Sequence, residues 1–185
     1  MARVVILGAG VSGHTAALFA KRALGKNHEV VVVTPNSKWN WIPSNIWVGV
    51  GQMTRKQVTF PLAPIYKKIG VRYEQAKAVS IHPEGGAEHD KGFVTFTYTS
   101  DDKRGETAEI EYDFLINATG PKLKFEATEG LGPEGHTVSV CTDGHAAEAN
   151  EHLQEAIQRM RNGEHVRFLV GTGNGMCTCQ GAGFE

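Results

Sequence analysis

Three cysteines and two glycine-rich turns hold most of the residues in this sequence whose types and spacing could do chemistry. The first turn, Gly8-Ala9-Gly10-Val11-Ser12-Gly13, has the pattern G-x-G-x-x-G and follows the apolar run RVVIL. In such a turn the first glycine permits a tight bend and the second lets the backbone approach a pyrophosphate. The third lets the following helix pack close to the strand. The helix amino terminus adds unpaired N–H groups and the positive end of its dipole. Gly8, Gly10 and Gly13 therefore predict a dinucleotide site. The acidic residue expected at the end of the next strand, where it would hold adenosine ribose hydroxyls, is replaced by Thr34 and Pro35. Either the Thr34 hydroxyl or the backbone is left to make that contact. This departure counts more against NAD(H) than against FAD, which is gripped over a longer surface.

A second fingerprint follows the apolar segment FLI, in Asn117-Ala118-Thr119-Gly120-Pro121-Lys122. Small side chains there let backbone N–H groups come near a ligand. In isolation an ordinary strand-ending turn would look the same. Placed after the first glycine turn and an intervening meander, Thr119 and Gly120 read as a second FAD contact.

The second glycine turn, residues 171–185 (GTGNGMCTCQGAGFE), carries Cys177 and Cys179 where an enzyme of pyridine nucleotides needs open glycine backbone. A thiol at a helix amino terminus has a lowered pKa and more thiolate, as attack on sulfur species or a flavin requires. The turn thus favours sulfur chemistry over hydride transfer. Cys141, in V-C-T-D-G-H-A, reads either as a redox thiol or as a small buried one. Three cysteines, an odd count, exclude a complete disulfide framework within the chain. A zinc site from Cys177, Cys179 and His145 is disfavoured, because C-x-C lacks zinc-ligand spacing and no second pair exists. His14 begins a helix and is placed to approach phosphate. His82, His89 and His136 read as solvated surface, and Trp39 and Trp41 as core.

The elements that must position these residues are those of an α/β fold. Residues 3–7 and 29–33 (EVVVV) read as buried parallel strands, joined by a helix to about Leu24 that Gly25 ends. Residues 35–59 are irregular and aromatic. A short helix over residues 61–70 leads to a strand over 71–79; then FVTFTY, the turn DDKRG and AEIEYDFLINATG form a hairpin. Its last segment, FLINA, reads as buried and rejoins the main sheet. A helix over residues 143–162 precedes a further buried strand, residues 166–170 (VRFLV). The expected organisation is a Rossmann-like FAD-binding fold with a β-meander over residues 1–163. The start of a second, incomplete dinucleotide-binding fold follows over residues 164–185, so that the chain reads as a fragment.

A net charge of −1 with no basic tail argues against nucleic acid as a partner. No run of 18 uncharged apolar residues is present, so no membrane-spanning segment is expected. The amino terminus reads as a strand entering a glycine turn and not as a secretory signal. A cytoplasmic place, or a peripheral one on a membrane, follows.

GAGVSG, PSNIWVGVG, ATGPKLKFE, VCTDGHA and the cysteine-bearing turn ending in GAGFE together resemble the sulfide:quinone oxidoreductases, in that family's order and over essentially the whole chain. The resemblance implies FAD as cofactor, and sulfide and a membrane quinone as substrates. It implies that Pro43, Ser44, Asn45 and Trp47 lie along the cofactor and that Cys141 takes part in sulfide chemistry. Glu185 aligns with a carboxylate associated with proton transfer, which would need burial to raise its pKa. Counting back from Glu185, Cys179 takes the place of the single cysteine usual in this turn, and Cys177 is extra; either is open as the redox thiol. The partner cysteine and the membrane contact are expected outside this chain, leaving the fragment inactive alone. A homo-oligomer is among the assemblies left open. The alternatives are another flavoenzyme of this fold, such as a type II NADH:quinone oxidoreductase or the flavoprotein of flavocytochrome c sulfide dehydrogenase, and a non-enzymatic dinucleotide-binding module.

Overall fold

The computed structural model of the chain describes residues 1–171. β1 (Arg3–Leu7) and β2 (Glu29–Thr34) form because aliphatic, largely β-branched runs suit strands buried on both faces. They pair in parallel, from Arg3 opposite Glu29 to Leu7 opposite Val33. α1 (Val11–Leu24) makes the crossover and ends at Gly25, whose N–H donates to the Lys21 carbonyl. After β2 come β3 (Lys38–Asn40), a 3-10 turn at Ile42–Ser44, α2 (Asn45–Gly49), α3 (Arg55–Val58), β4 (Thr59–Pro61) and α4 (Leu62–Ile69).

β5 (Arg72–His82) has two partners. Its first residues pair in parallel with β2, Arg72 opposite Val31 and Gln75 opposite Thr34. The remainder pairs antiparallel with β6 (Phe93–Tyr98), with a shift of register between Ala78 and Ser80. β7 (Thr107–Glu111) completes the meander, and β8 (Phe114–Asn117) returns to lie parallel to β1. The sheet order is β7-β6-β5-β2-β1-β8. Val5, Leu7, Val31 and Val33 share one buried cluster with Ala76, Val94, Phe96 and Ile110. The cluster thus runs across β1, β2, β5, β6 and β7 in sheet order, along one face. Val4, Ile6, Val30 and Val32 alternate to the other face. α1 packs against β1 and β2, and α4 against β5. Right-handed crossovers in one direction along the sheet put both helices on the same side.

Two expectations need correction. FLINA does rejoin the main sheet, but as an edge strand, with Phe114 64% and Ile116 37% exposed. Residues 166–170 form no strand: none of the described residues pairs with them, and Leu169 is 97% exposed. Apolar composition favours burial, but a strand also needs a neighbouring ladder to take its backbone N–H and C=O groups.

The chain divides into two compact units. Met1–Trp39 and Pro61–Pro121 contain the sheet with α1 and α4. The other contains Asn40–Phe60 and the chain from Lys122 onward. Its described core is Val48, Val58 and Ala146, with Met53 and Val140 against them. α5 (Asp143–Arg161) is the long helix of that unit; Thr142 caps it, its hydroxyl accepting from the His145 N–H at 3.1 Å. Among the described residues no helix is long and apolar enough to cross a membrane.

Candidate dinucleotide site

Within the first unit, the two fingerprints meet at the carboxyl ends of adjacent parallel strands. The Ala118 N–H donates to the Leu7 carbonyl at 2.8 Å, and the Gly8 N–H to the Val33 carbonyl at 2.8 Å. Gly8 has a φ of 91°, and a Cβ there would stand 2.3 Å from the Ala118 carbonyl oxygen. At Gly13 a Cβ would stand 2.1 Å from the Gly8 carbonyl oxygen. These two glycines are demanded by packing of backbone on backbone. Gly10 is different, because a Cβ there would meet nothing within 4 Å. Its open side faces no protein, as a turn meant for a ligand requires.

Gly10 is also the residue that caps α1. No side chain caps the helix there, and its first turn holds no acidic residue. The N–H groups of Val11, Ser12 and Gly13 have no acceptor within the helix, and the dipole adds partial positive charge at that end. The strand order places β1 between β2, reached through α1, and β8, reached through the meander. That reversal makes the β1–β8 crevice the switch point at which open α/β sheets bind ligands. After β8, the Asn117 Oδ1 accepts from the Thr119 N–H at 3.3 Å and from its hydroxyl at 2.9 Å. Gly120 follows with a φ of 74° and open space around it. A pyrophosphate fits this cradle: open glycine backbone, free donors and no carboxylate in the first turn.

The remaining expected residues are placed less simply. Thr34 is 1% exposed, so its hydroxyl has no open side for a ribose. The segment after it is fixed from behind, with the Thr99 hydroxyl donating to the Pro35 carbonyl at 2.9 Å and the Tyr73 hydroxyl to the Asn36 carbonyl at 2.7 Å. Burial pushes the Tyr73 phenol up to about 12, so it stays a donor at neutral pH. His14 does not turn toward a phosphate. It is buried beside the Trp39 ring, its Nδ1 3.0 Å from the Tyr66 hydroxyl. Desolvation lowers its pKa from the usual imidazole value, which keeps it neutral.

In the second unit, Pro43 and Ser44 lie in the 3-10 turn and Asn45 begins α2. Asn45 is fully buried, and its amide exchanges two hydrogen bonds with that of Asn40, at 2.9 and 3.0 Å. This pairing makes Asn45 a structural clasp between the chain entering the 3-10 turn and α2. Trp47 is 44% exposed, and Trp41, expected in the core, is 42% exposed. Cys141 is an exposed free thiol, just before the Thr142 cap of α5, with its N–H donated to the Ser139 hydroxyl. Cys177, Cys179 and Glu185 lie outside the described residues. Sequence reasoning missed Tyr66, Asn40 and the close contact of Ala118 with Gly8; only the smallness of Ala118 gave any sign of its role. His89 is also more than solvated surface. Its two ring nitrogens bridge Glu109 and Glu111 at 2.8 and 2.9 Å, and its ring lies on Phe93, which stacks on His82 as well.

The model of the pyridine nucleotide-disulphide oxidoreductase family matches residues 2–183. The chain belongs to that family. The cofactor this membership implies is FAD, and the glycine cradle fits it. A sulfide-quinone reductase of Aquifex aeolicus is 32% identical over 152 residues, 82% of this chain and 31% of that protein. The X-ray structure of the sulfide:quinone oxidoreductase from Aquifex aeolicus superimposes with a TM-score of 0.68 at 31% identity, covering 85% of this chain and 33% of that one. An external alternative NAD(P)H-ubiquinone oxidoreductase of Arabidopsis thaliana is 25% identical over 76% of this chain and 23% of its own length. The NDH2 of Plasmodium falciparum, at 16% identity and a TM-score of 0.65, shares the fold. The likeness read from the five motifs and the Rossmann-like α/β fold are both borne out. The chain spans about a third or less of the length of these relatives.

Proposed function

We propose that this chain is the FAD-binding portion of a sulfide:quinone oxidoreductase. The observation that carries the reading is the pair of thiols, Cys177 and Cys179, written into the second glycine turn of a chain 32% identical to a sulfide-quinone reductase. A pyridine nucleotide would need that turn as bare backbone. Residues 164–185 are read as the start of a second dinucleotide fold, with the thiols at its turn.

In this reading Gly10 and the first-turn N–H groups of α1 bind the pyrophosphate. Thr119 and Gly120 bring backbone to the cofactor from the β8 side. FAD, when bound, takes two electrons from one substrate and passes them to another. Each sulfide sulfur gives up two electrons, ends as zero-valent sulfur carried on a cysteine as persulfide or polysulfide, and releases its protons. The quinone gains the two electrons and two protons as quinol. Cys179 or Cys177 holds the sulfur as thiolate, Cys141 is a further thiol for the same chemistry, and Glu185 carries a proton. Quinone reduction in turn implies peripheral contact with a membrane.

The test is anaerobic titration of the full-length protein, watching flavin absorbance. Sulfide bleaches it and NADH does not. Bleaching by NADH alone would replace this reading with that of an NADH:quinone oxidoreductase, the activity named for the Arabidopsis relative.

A further inference from the structure

Four aromatic side chains from four elements meet inside the first unit, and no step of the proposed chemistry uses them. His14 of α1 stands between Trp39 of β3 and Tyr66 of α4, its ring centroid 5.9 Å from the first and 5.5 Å from the second. The Tyr66 ring lies in turn 5.6 Å from that of Tyr73 in β5. Tyr66 is fully buried and His14 is buried, whereas Trp39 and Tyr73 are half-buried. Two partly accessible rings thus flank a sealed pair.

The two phenols differ in what takes their hydrogen. Tyr73 donates to the Asn36 carbonyl at 2.7 Å, and a peptide oxygen is not a base. The Tyr66 hydroxyl lies 3.0 Å from His14 Nδ1, its one hydrogen-bond partner among the described residues. Were Nδ1 to carry a hydrogen, the phenolic hydrogen would be buried without an acceptor. Satisfying both groups requires the phenol to donate and Nδ1 to accept. Removal of an electron turns a phenol into a strong acid, so oxidation is easiest where a base can take the proton at once. Of these two phenols only Tyr66 has such a base. Burial keeps His14 neutral and the Tyr66 phenol protonated, so the acceptor is vacant and electron and proton leave together.

We propose that Tyr66 is a one-electron redox site, with His14 as its proton acceptor and Trp39 and Tyr73 as the rings through which the electron leaves. The oxidant belongs to the class of oxidising radicals and high-potential metal complexes. It gains one electron while the Tyr66 O–H bond breaks and an N–H bond forms at His14 Nδ1. A neutral phenoxyl radical then lies beside an imidazolium. A reductant of the ascorbate or thiol class returns the electron, and the proton goes back to the phenolic oxygen. The inference uses no property of the flavin or of the cysteines, so it stands or falls apart from the proposed activity.

The experiment is stopped-flow and freeze-quench EPR on the 185-residue chain, its cysteines first alkylated, mixed with less than one equivalent of hexachloroiridate(IV). A phenoxyl radical is expected, formed more slowly in D2O than in H2O. Tyr66→Phe is expected to remove the signal, and Tyr98→Phe with Tyr112→Phe to leave it. His14→Gln can still accept a hydrogen bond but is no base, and it is expected to slow formation on the order of 100-fold. Circular dichroism checks that the variants remain folded. No phenoxyl signal, a signal that survives Tyr66→Phe, or a rate indifferent to both D2O and His14→Gln would each overturn the proposal. The parent chain decides the matter even if a variant misfolds. Deuterium ENDOR in D2O should find a single hydrogen-bonding deuteron on the radical oxygen, that of the imidazolium, whereas the several deuterons of a water-solvated phenoxyl would place the radical elsewhere.

Discussion

Gly10 and Gly13 stand three residues apart in one turn, yet the fold needs them for different reasons, and substitution separates the two. A Cβ at Gly13 would lie 2.1 Å from a backbone oxygen that cannot move without breaking the turn. Gly13→Ala is expected to cost about 2–4 kcal/mol of stability even with no cofactor present. A Cβ at Gly10 meets only open space, so Gly10→Val is expected to cost no more than about 1 kcal/mol, the usual scale for a poor helix cap. It should nonetheless abolish FAD retention. Denaturant melts without cofactor, set beside flavin content after purification, check both; a Gly10→Val protein that keeps its flavin would sink the pyrophosphate assignment. The two well-placed histidines give a second prediction, because they act in opposite directions. Burial lowers the His14 pKa, so below about pH 6.5 the unfolded chain takes up a proton that the fold resists. Stability therefore falls as pH drops from there toward the folded value. Glu109 and Glu111 raise the His89 pKa through hydrogen bonds and charge. Its contribution is complete below about pH 6.5 and is lost as pH rises through the folded value. In melting temperature against pH, His14→Phe should flatten the acid limb and His89→Gln the limb above it. NMR titration of the two imidazoles should show one midpoint on each side of the ordinary value.

Elements were legible where local pattern and tertiary need agree. The run EVVVV, the glycine turn and the glycine after Leu24 each specify their conformation within a few residues, and the βαβ unit forms as read. The helix expected over residues 143–162 is found at Asp143–Arg161 for the same reason: a capping threonine, an apolar stripe and a glycine that follows. Thr142→Ala is expected to destabilise the chain by about 1 kcal/mol, read by urea denaturation, since one hydroxyl satisfies an otherwise unpaired helix N–H. Pattern fails where the deciding partner is distant. Nothing in FLINA tells a central strand from an edge strand, because the difference lies in what pairs with its other side. Nothing near His14 in sequence announces Tyr66, 52 residues away. Nothing in the motif around Asn45, which resembles a cofactor loop, announces that its buried amide pairs with Asn40. Residues 166–170 show the same limit most plainly. Their backbone pairs with no described residue, so their amides are expected to exchange with solvent far faster than those of β1 and β2. Hydrogen exchange on the 185-residue chain tests this, and protection matching the central strands would contradict it.

At the scale of the whole molecule, the family and its FAD fold are shared with the relatives, while the proposed sulfur chemistry would depend on thiols that lie outside the described residues. Cys141 is free and exposed, but one exposed thiol beside a helix cap does not define a reaction. Relatives to which this chain is similar likewise differ in electron donor, as their names state. Discrimination therefore falls on the second glycine turn. If Cys179 occupies the place of the single redox thiol, Cys179→Ser in the full-length protein should remove bleaching of the flavin by sulfide and leave FAD bound. The cradle of Gly8, Gly10 and Gly13 is separate in sequence and would be untouched. Cys177→Ser should keep most of the activity, because in this register Cys177 is the extra cysteine of the turn. Stopped-flow absorbance under sulfide, with flavin content as the control, reads both variants in one experiment. If Cys177→Ser is the dead variant and Cys179→Ser the mild one, the register moves by two residues and sulfur chemistry stands. If both variants bleach like the parent, the thiols of this turn carry no sulfur, and the sulfide reading loses the observation on which it rests.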